Sequence, residues 1–265
     1  IQSNTQEIAL EQAIEKSLAG CNTEEIQNNN LLQESTPLYG NAADYVIGSP
    51  SNYDKTWGID KVYFWQFLEH TQPKEVAKIK KRHTNWKDVL LYQCDLLIKR
   101  YGVLYLLKKG LRYEDVHFSL FYQPPLVSSA EKVKENFKKN IFSITRQLTY
   151  SNANPGEEVD VVLFINGLPV VTMELKNAWT GQTARFHGVR QYKYDRDTTQ
   201  TLFQFGRCLV HFAVDTDEVY MTTQLNGEHT FFLPFNKGCN NGEGNPVNPK
   251  GHKTAYLWEE ILTKE

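Results

Sequence analysis

Long apolar runs are missing from this chain of 265 residues. No stretch approaches the roughly 18 consecutive apolar residues of a bilayer-crossing helix, so no membrane partner is expected. No secretory pattern is read either. Cysteine is scarce, and Cys21, Cys94, Cys208 and Cys239 stand far apart without a C-x-x-C unit. That spacing argues against a zinc site and against a disulfide framework, and it fits a reducing, cytoplasmic setting. A basic excess is also lacking: the formal net charge is −2. Chains that grip DNA tightly on their own usually carry such an excess. If this one handles DNA, it does so transiently or with other chains or domains holding the duplex. The glycine-rich stretch from Gly238 to Gly251 matches neither G-x-x-x-x-G-K-[ST] nor a strand-borne G-x-G-x-x-G, so it reads as a surface loop and no ATP site is expected in this chain. Internal repeats are not visible.

What is there is an ordinary globular mixture, 40% hydrophobic and 23% charged. It is long enough to bury a core without covalent staples. The opening at Ile1, and a helix-like run from Thr254 to Leu262 that stops without a capping signal, read as the edges of a longer protein. Residues 5–18 predict an amphipathic helix, with Ile8, Leu10, Ala13, Ile14 and Leu18 as its stripe and Glu7, Glu11 and Glu15 spaced i, i+4, i+8. Residues 20–36 read as a loop, and 37–85 as turns around the aromatic run Val62 to Phe67. A helix is expected over 85–100, a strand over 116–122 ended by Pro124-Pro125, and a basic helix over 130–139. From 141 the character changes to strands at 141–149, 159–165, 170–175, 209–214 and 219–223, with a helix at 182–195. Asn226-Gly227 is a further hairpin signal. The division read from this is a helix-rich part (1–140), an α/β core (141–235), and a loop and helix (236–265), built on a mixed sheet.

The informative segment runs from Asp160 to Lys176. Two strands, apolar on both faces and so expected at the centre of a sheet, flank Asn166-Gly167. Yet Asp160 opens one strand, and Glu174 and Lys176 close the other. Buried carboxylates are costly unless paired or bound to a metal, so two converging at a hairpin's end invite a divalent ion with oxygen ligands. Convergence depends on register. A two-residue Asn166-Gly167 turn pairs Asp160 with Met173 and turns Glu174 to the other face. A three-residue loop, or an equivalent bulge, sets Asp160 across from Glu174 and puts Lys176 on the same face. The latter is the expectation. Phosphodiester hydrolysis wants this set: Asp160, Glu174 and the Leu175 carbonyl as ligands to Mg²⁺ (or Mn²⁺), with Lys176 orienting water or stabilising the charged transition state. The alternative is a plain hairpin with a Glu174–Lys176 salt bridge.

This segment resembles the nuclease domain of type I restriction enzyme R subunits, a PD-(D/E)xK family. The run Asn166-Gly-Leu-Pro169 followed by Glu174-Leu-Lys-Asn177 carries the resemblance. It is joined by Arg146-Gln-Leu-Thr-Tyr-Ser151, Thr180-Gly-Gln182, Arg190-Gln-Tyr192, Val210-His-Phe-Ala-Val-Asp-Thr216, Tyr220-Met-Thr-Thr223, Phe232 to Gly238, Gly244-Asn-Pro246 and Thr254 to Glu260. The resemblance implies a restriction-endonuclease-like α/β fold, a mixed sheet flanked by helices. It implies double-stranded DNA as substrate, methyltransferase and specificity subunits as partners, and ATP used only by motor domains beyond this chain. It also implies an accessory glutamate on the first helix, Glu7 or else Glu11. Related nucleases position DNA with Q-x-x-x-Y on the helix after the lysine; that spacing is absent here, Gly188 standing at the glutamine's place, and Gln191 and Tyr192 are the nearest equivalents. Competing readings are a stand-alone nuclease of the same type and an assembly module with little activity. His211, in an apolar strand, reads as a core histidine, and Lys132, Lys134, Lys138 and Lys139 as a solvated face.

Overall fold

A computed structural model of the chain describes residues 2–30, 44–152, 154, 156–177 and 181–264. Residues 31–36 of the expected loop and Thr180 of the Thr180-Gly-Gln182 motif therefore lie outside the described residues. The chain opens with helices α1 (Gln2–Ala19) and α2 (Thr23–Asn30), then the short strands β1 (Val46–Ile47), β2 (Tyr53–Asp54) and β3 (Ile59–Asp60). Helices α3 (Lys61–Thr71), α4 (Pro73–Arg82), α5 (Trp86–Tyr101) and α6 (Val103–Lys109) follow, then β4 (Leu111–Tyr113), β5 (Val116–Phe118) and α7 (Glu131–Lys138). The core strands are β6 (Phe142–Thr149), β7 (Glu158–Ile165), β8 (Leu168–Leu175), β9 (Val210–Val214), β10 (Val219–Thr222) and β11 (Leu233–Pro234). Helix α8 covers residues 184–195 between β8 and β9, and a last helical turn, α9, covers Leu257–Ile261.

The main sheet has seven strands in the order β1-β6-β7-β8-β9-β10-β11. The β1/β6 and β8/β9 pairs are parallel and the others antiparallel. This is the mixed α/β sheet read from the sequence. Strand β8 lies at its centre and is buried along all eight residues, as a strand apolar on both faces must be. One large apolar cluster gathers Leu10, Ile14 and Leu18 of α1, the buried faces of α3 to α6, and Val171, Met173 and Leu175 of β8. A second packs Tyr150, Phe164, Tyr192 and Phe203 together. The fully buried Arg207 fastens the helical part to the core: it pairs with Asp95 of α5 and donates to the Trp57 carbonyl at 3.1 Å.

Three expectations need correction. Thr23–Asn30 is a helix rather than loop: Asn22 caps it, its side chain accepting from Glu25 N–H at 2.8 Å, and Glu24 and Glu25 sit in its first turn, favourable at a helix N-terminus. The aromatic run at 62–67 lies in a helix because the Asp60 carboxylate accepts from the Val62 and Tyr63 amides, 3.0 and 3.1 Å away. The strand expected to reach Tyr122 stops at Phe118.

Candidate active site

The β7–β8 hairpin turns through two residues, not three. Asn166 (φ 51°) and Gly167 (φ 80°) both occupy the left-handed region, and Ile165 pairs with Leu168. Both positions are tightly held. The Asn166 side chain is buried, donating to Leu120 O (2.9 Å) and accepting from Ile141 N–H (2.7 Å). A Cβ on Gly167 would come within 2.4 Å of Asp60 O. A two-residue turn alone would put Asp160 opposite Met173. The register then shifts by one between Leu163 and Phe164: Phe164 pairs with Pro169, whereas Leu163 pairs with Val171, leaving Val170 as the bulged residue. Beyond the bulge Val161 pairs with Met173, so the next pair along is Asp160 with Glu174. The bulge meets the register condition that the three-residue loop was expected to meet.

Asp160 Oδ2 accepts the Leu175 amide at 2.6 Å, which ties the two strands at the mouth of the site. Glu174 is wholly buried. Its Oε1 takes the Arg196 Nε–H at 2.7 Å, while its Oε2 has no hydrogen-bond partner. Arg196, at the end of α8, is itself fixed by Glu158 O (2.7 Å) and the Tyr150 hydroxyl (3.3 Å). Lys176 Nζ stands 3.9 Å from Glu7 Oε1 on α1. One turn further along α1, Glu11 accepts from Arg146 Nε at 3.0 Å, and the same guanidinium reaches Glu15 and Glu24. The structure thus brings Asp160, Glu174, Lys176 and Glu7 to one end of the sheet. Glu11 is beside them but engaged by Arg146.

Electrostatics set these acids apart from ordinary surface carboxylates. Burial, reinforced by the Asp160 charge, pushes Glu174 up to about 7 despite Arg196 and Lys176 pulling the other way. Burial and then Asp160 likewise push Glu11 up to about 7, against Arg146. Asp160 is raised by burial, with Lys176 opposing. Glu7 is raised by burial, Lys176 lowering it and Asp160 raising it. Desolvated carboxylates that raise one another's pKa favour an added cation. Among the described residues no three His, Cys, Asp or Glu side chains stand close enough to hold an ion by themselves. The donor set is nevertheless of the right chemistry: hard oxygens on two carboxylates, one of them a buried oxygen without a partner. Mg²⁺ typically takes one or two protein carboxylates and completes its shell with water and phosphate oxygens.

Helix α8 closes the site from the side. Several of its turns are wound more widely than an α-helix, with His187 and Gly188 N–H both bonded to Thr183 O at 2.9 and 3.2 Å; such π turns recur at functional sites. Gly188 is required there, because a Cβ would lie 2.9 Å from Ala213 Cβ and 3.5 Å from Lys176 Cγ. Tyr192 points inward. Its ring is fully buried and its hydroxyl lies 2.8 Å from Thr172 Oγ1, which is 2.7 Å from His211 Nδ1. The DNA contact expected of Tyr192 is therefore not open to this ring, and Gln191 is half-buried beside it. His211 is a core histidine as read, burial lowering it to about 3. Arg196 escaped sequence reasoning. The only signal for it is indirect: a carboxylate inside an apolar strand requires a cation, and the spacing along α8 does not say which one.

The fold is a mixed α/β protein, with two acids and a lysine at the open end of its central hairpin. Residues 126–230 match the family model described as Type I restriction enzyme R protein N terminus. This segment holds β6 to β10 and all of Asp160, Glu174 and Lys176, and the family it matches is one of restriction nucleases in general terms. No curated protein matches the chain. No helix among the described residues is long and apolar enough to cross a membrane.

Proposed function

We propose that this chain provides the metal-dependent DNA-cleaving site of a type I restriction R subunit. The observation that carries the reading is the buried, unpartnered Oε2 of Glu174, on the strand position opposite Asp160. Asp160, Glu174 and the Leu175 carbonyl would hold Mg²⁺, or Mn²⁺ in its place, with Glu7 as an accessory acid. Bound there, the ion would neutralise charge developing on the scissile phosphate and lower the pKa of bound water. The protein's own groups do the rest. Arg196 holds Glu174 in a single orientation through Oε1. The Leu175 amide does the same for Asp160. Lys176, balanced by Glu7 at 3.9 Å, supplies a positive charge where the attacking water and the pentavalent phosphate gather negative charge. With a net charge of −2, the chain depends on other parts of the complex to hold the duplex. In this reading methyltransferase and specificity subunits select the DNA, an ATP-driven motor of the R subunit delivers it, and the work is done in the cytoplasm. The test is Lys176→Ala in the assembled complex. Cleavage should disappear while ATP hydrolysis and translocation persist; continued cutting would remove Lys176 from the reaction.

A further inference from the structure

The outward face of α8 has a composition that its packing does not explain. Phe186 and Tyr194 are 67% and 62% exposed, and Phe231, on the segment leading into β11, is 75% exposed. Exposed large aromatics gathered in one patch mark an interaction surface. Three cations alternate with them: Arg185, Arg190 and Lys193. None of the three forms an ion pair with an acid among the described residues; the Arg185 guanidinium lies over the Phe186 ring, 5.6 Å from its centroid. The spacing is regular. Phe186, Arg190 and Tyr194 fall at i, i+4, i+8, and Arg185 and Lys193 lie along the neighbouring row on either side of Val189.

These side chains line two adjoining open grooves. The first, of about 520 Å³, is formed by Arg185, Phe186, Val189, Arg190, Lys193 and Tyr194. The second, of about 470 Å³, shares Arg185, Val189 and Lys193 and has Phe231 on its far side. A basic row thus runs between two aromatic flanks. Three acids stand nearby: Asp195 is exposed at the helix end, Glu243 is exposed on the lining of the second groove, and Glu218, on the rim of that groove, is engaged by the Tyr220 hydroxyl at 3.3 Å. The opposite face of the same helix meets Lys176 at Gly188, so whatever lies in the grooves lies one helix thickness from the lysine.

We propose that these grooves are a path for single-stranded DNA, with bases stacked on Phe186, Tyr194 and Phe231 and phosphates held by Arg185, Arg190 and Lys193. The inference rests on the nuclease reading for its choice of DNA and deepens it, giving the cleavage site an unpaired strand on one side. Every base has a face that stacks on an aromatic ring, and cations alternating with rings is how strand-tracking surfaces are built. Duplex DNA hides its base faces and offers this surface only its phosphates.

Fluorescence anisotropy with a labelled oligo-dT of about 15 nucleotides and a duplex of similar length tests the proposal, in EDTA so that no cleavage intervenes. The chain should bind oligo-dT more tightly than duplex. Phe186→Ala with Tyr194→Ala should weaken oligo-dT binding by about tenfold or more per ring removed and leave the weaker duplex binding nearly unchanged. Arg190→Glu with Lys193→Glu should weaken oligo-dT binding and flatten its salt dependence. All four side chains are on the surface, and circular dichroism verifies folding. Equal binding of duplex and oligo-dT, absence of oligo-dT binding, or indifference to the ring substitutions overturns the proposal. Lys176→Ala should keep oligo-dT binding. If that variant stops cleavage in the complex while the ring variants bind normally, the strand path falls and the nuclease reading stands. The reverse pattern keeps the path and removes the cleavage assignment.

Discussion

Replacing Arg196 with methionine removes the cation that makes a buried Glu174 tolerable while keeping most of the apolar stem. The guanidinium makes three hydrogen bonds, to Glu174 Oε1, Glu158 O and the Tyr150 hydroxyl. Breaking one side of such a buried pair costs about 3–5 kcal/mol when the stranded partner stays charged. Glu174 need not stay charged at every pH. Its folded pKa is near 7, above the ordinary glutamate value of about 4.3 in an unfolded chain. A carboxyl raised in this way stabilises the fold most fully below its unfolded pKa, and that contribution is lost as pH rises through the folded pKa. For the intact protein the loss amounts to about 4 kcal/mol and is complete slightly above pH 7. Without Arg196 the folded pKa climbs further, and stability continues to fall where the parent protein has levelled off. The destabilisation by Arg196→Met should therefore be about 1 kcal/mol near pH 5, where Glu174 is neutral in both proteins. It should grow to about 3–5 kcal/mol near pH 8.5. Urea unfolding in EDTA at the two pH values measures it. In a Glu174→Gln background the pH-dependent part should vanish. An Arg196→Met cost that is the same at both pH values, or that survives unchanged in that background, refutes the coupling.

The hairpin gives a second test. Gly167→Ala sets a Cβ 2.4 Å from Asp60 O and 2.6 Å from Phe64 N at a φ of 80°, and should cost about 2–4 kcal/mol in urea unfolding, more than left-handed strain alone. Thr172→Val strips a hydroxyl from between Tyr192 and His211 and should cost about 1–3 kcal/mol by thermal unfolding. Mn²⁺ binding followed by calorimetry should weaken by roughly tenfold per pH unit below 7, because protons compete for Glu174; a flat profile would place the ion elsewhere. Mn²⁺ at about ten times its Kd should add about 1.4 kcal/mol of stability, a rise of roughly 3–5 °C in Tm.

Local rules carried the reading of the site further than that of the fold around it. Asn166-Gly167 is a turn that any reader of the sequence can mark, and the requirement that Asp160 and Glu174 share a face forces an extra residue into one strand. Where the extra residue sits is not a local matter. Val170 bulges while Asn166 and Gly167 are clamped by Leu120, Ile141 and Asp60, residues distant in the chain. The helices before residue 110 are poorly legible for a related reason. Their register is set by packing on the sheet and by single caps such as Asp60, and in the run Val62 to Phe67 only Gln66 is without an apolar or aromatic body. Tyr192 illustrates the limit most clearly: nothing beside it in sequence says that Thr172 will take its hydroxyl and draw the ring into the core.

Diffraction at the manganese edge from crystals soaked in Mn²⁺ addresses the central claim most directly. The account predicts an anomalous peak within coordination distance, about 2.2 Å, of both an Asp160 oxygen and Glu174 Oε2, and its absence in Glu174→Gln crystals. A saturating soak that leaves this position without a peak, or a peak that persists in Glu174→Gln, would contradict it.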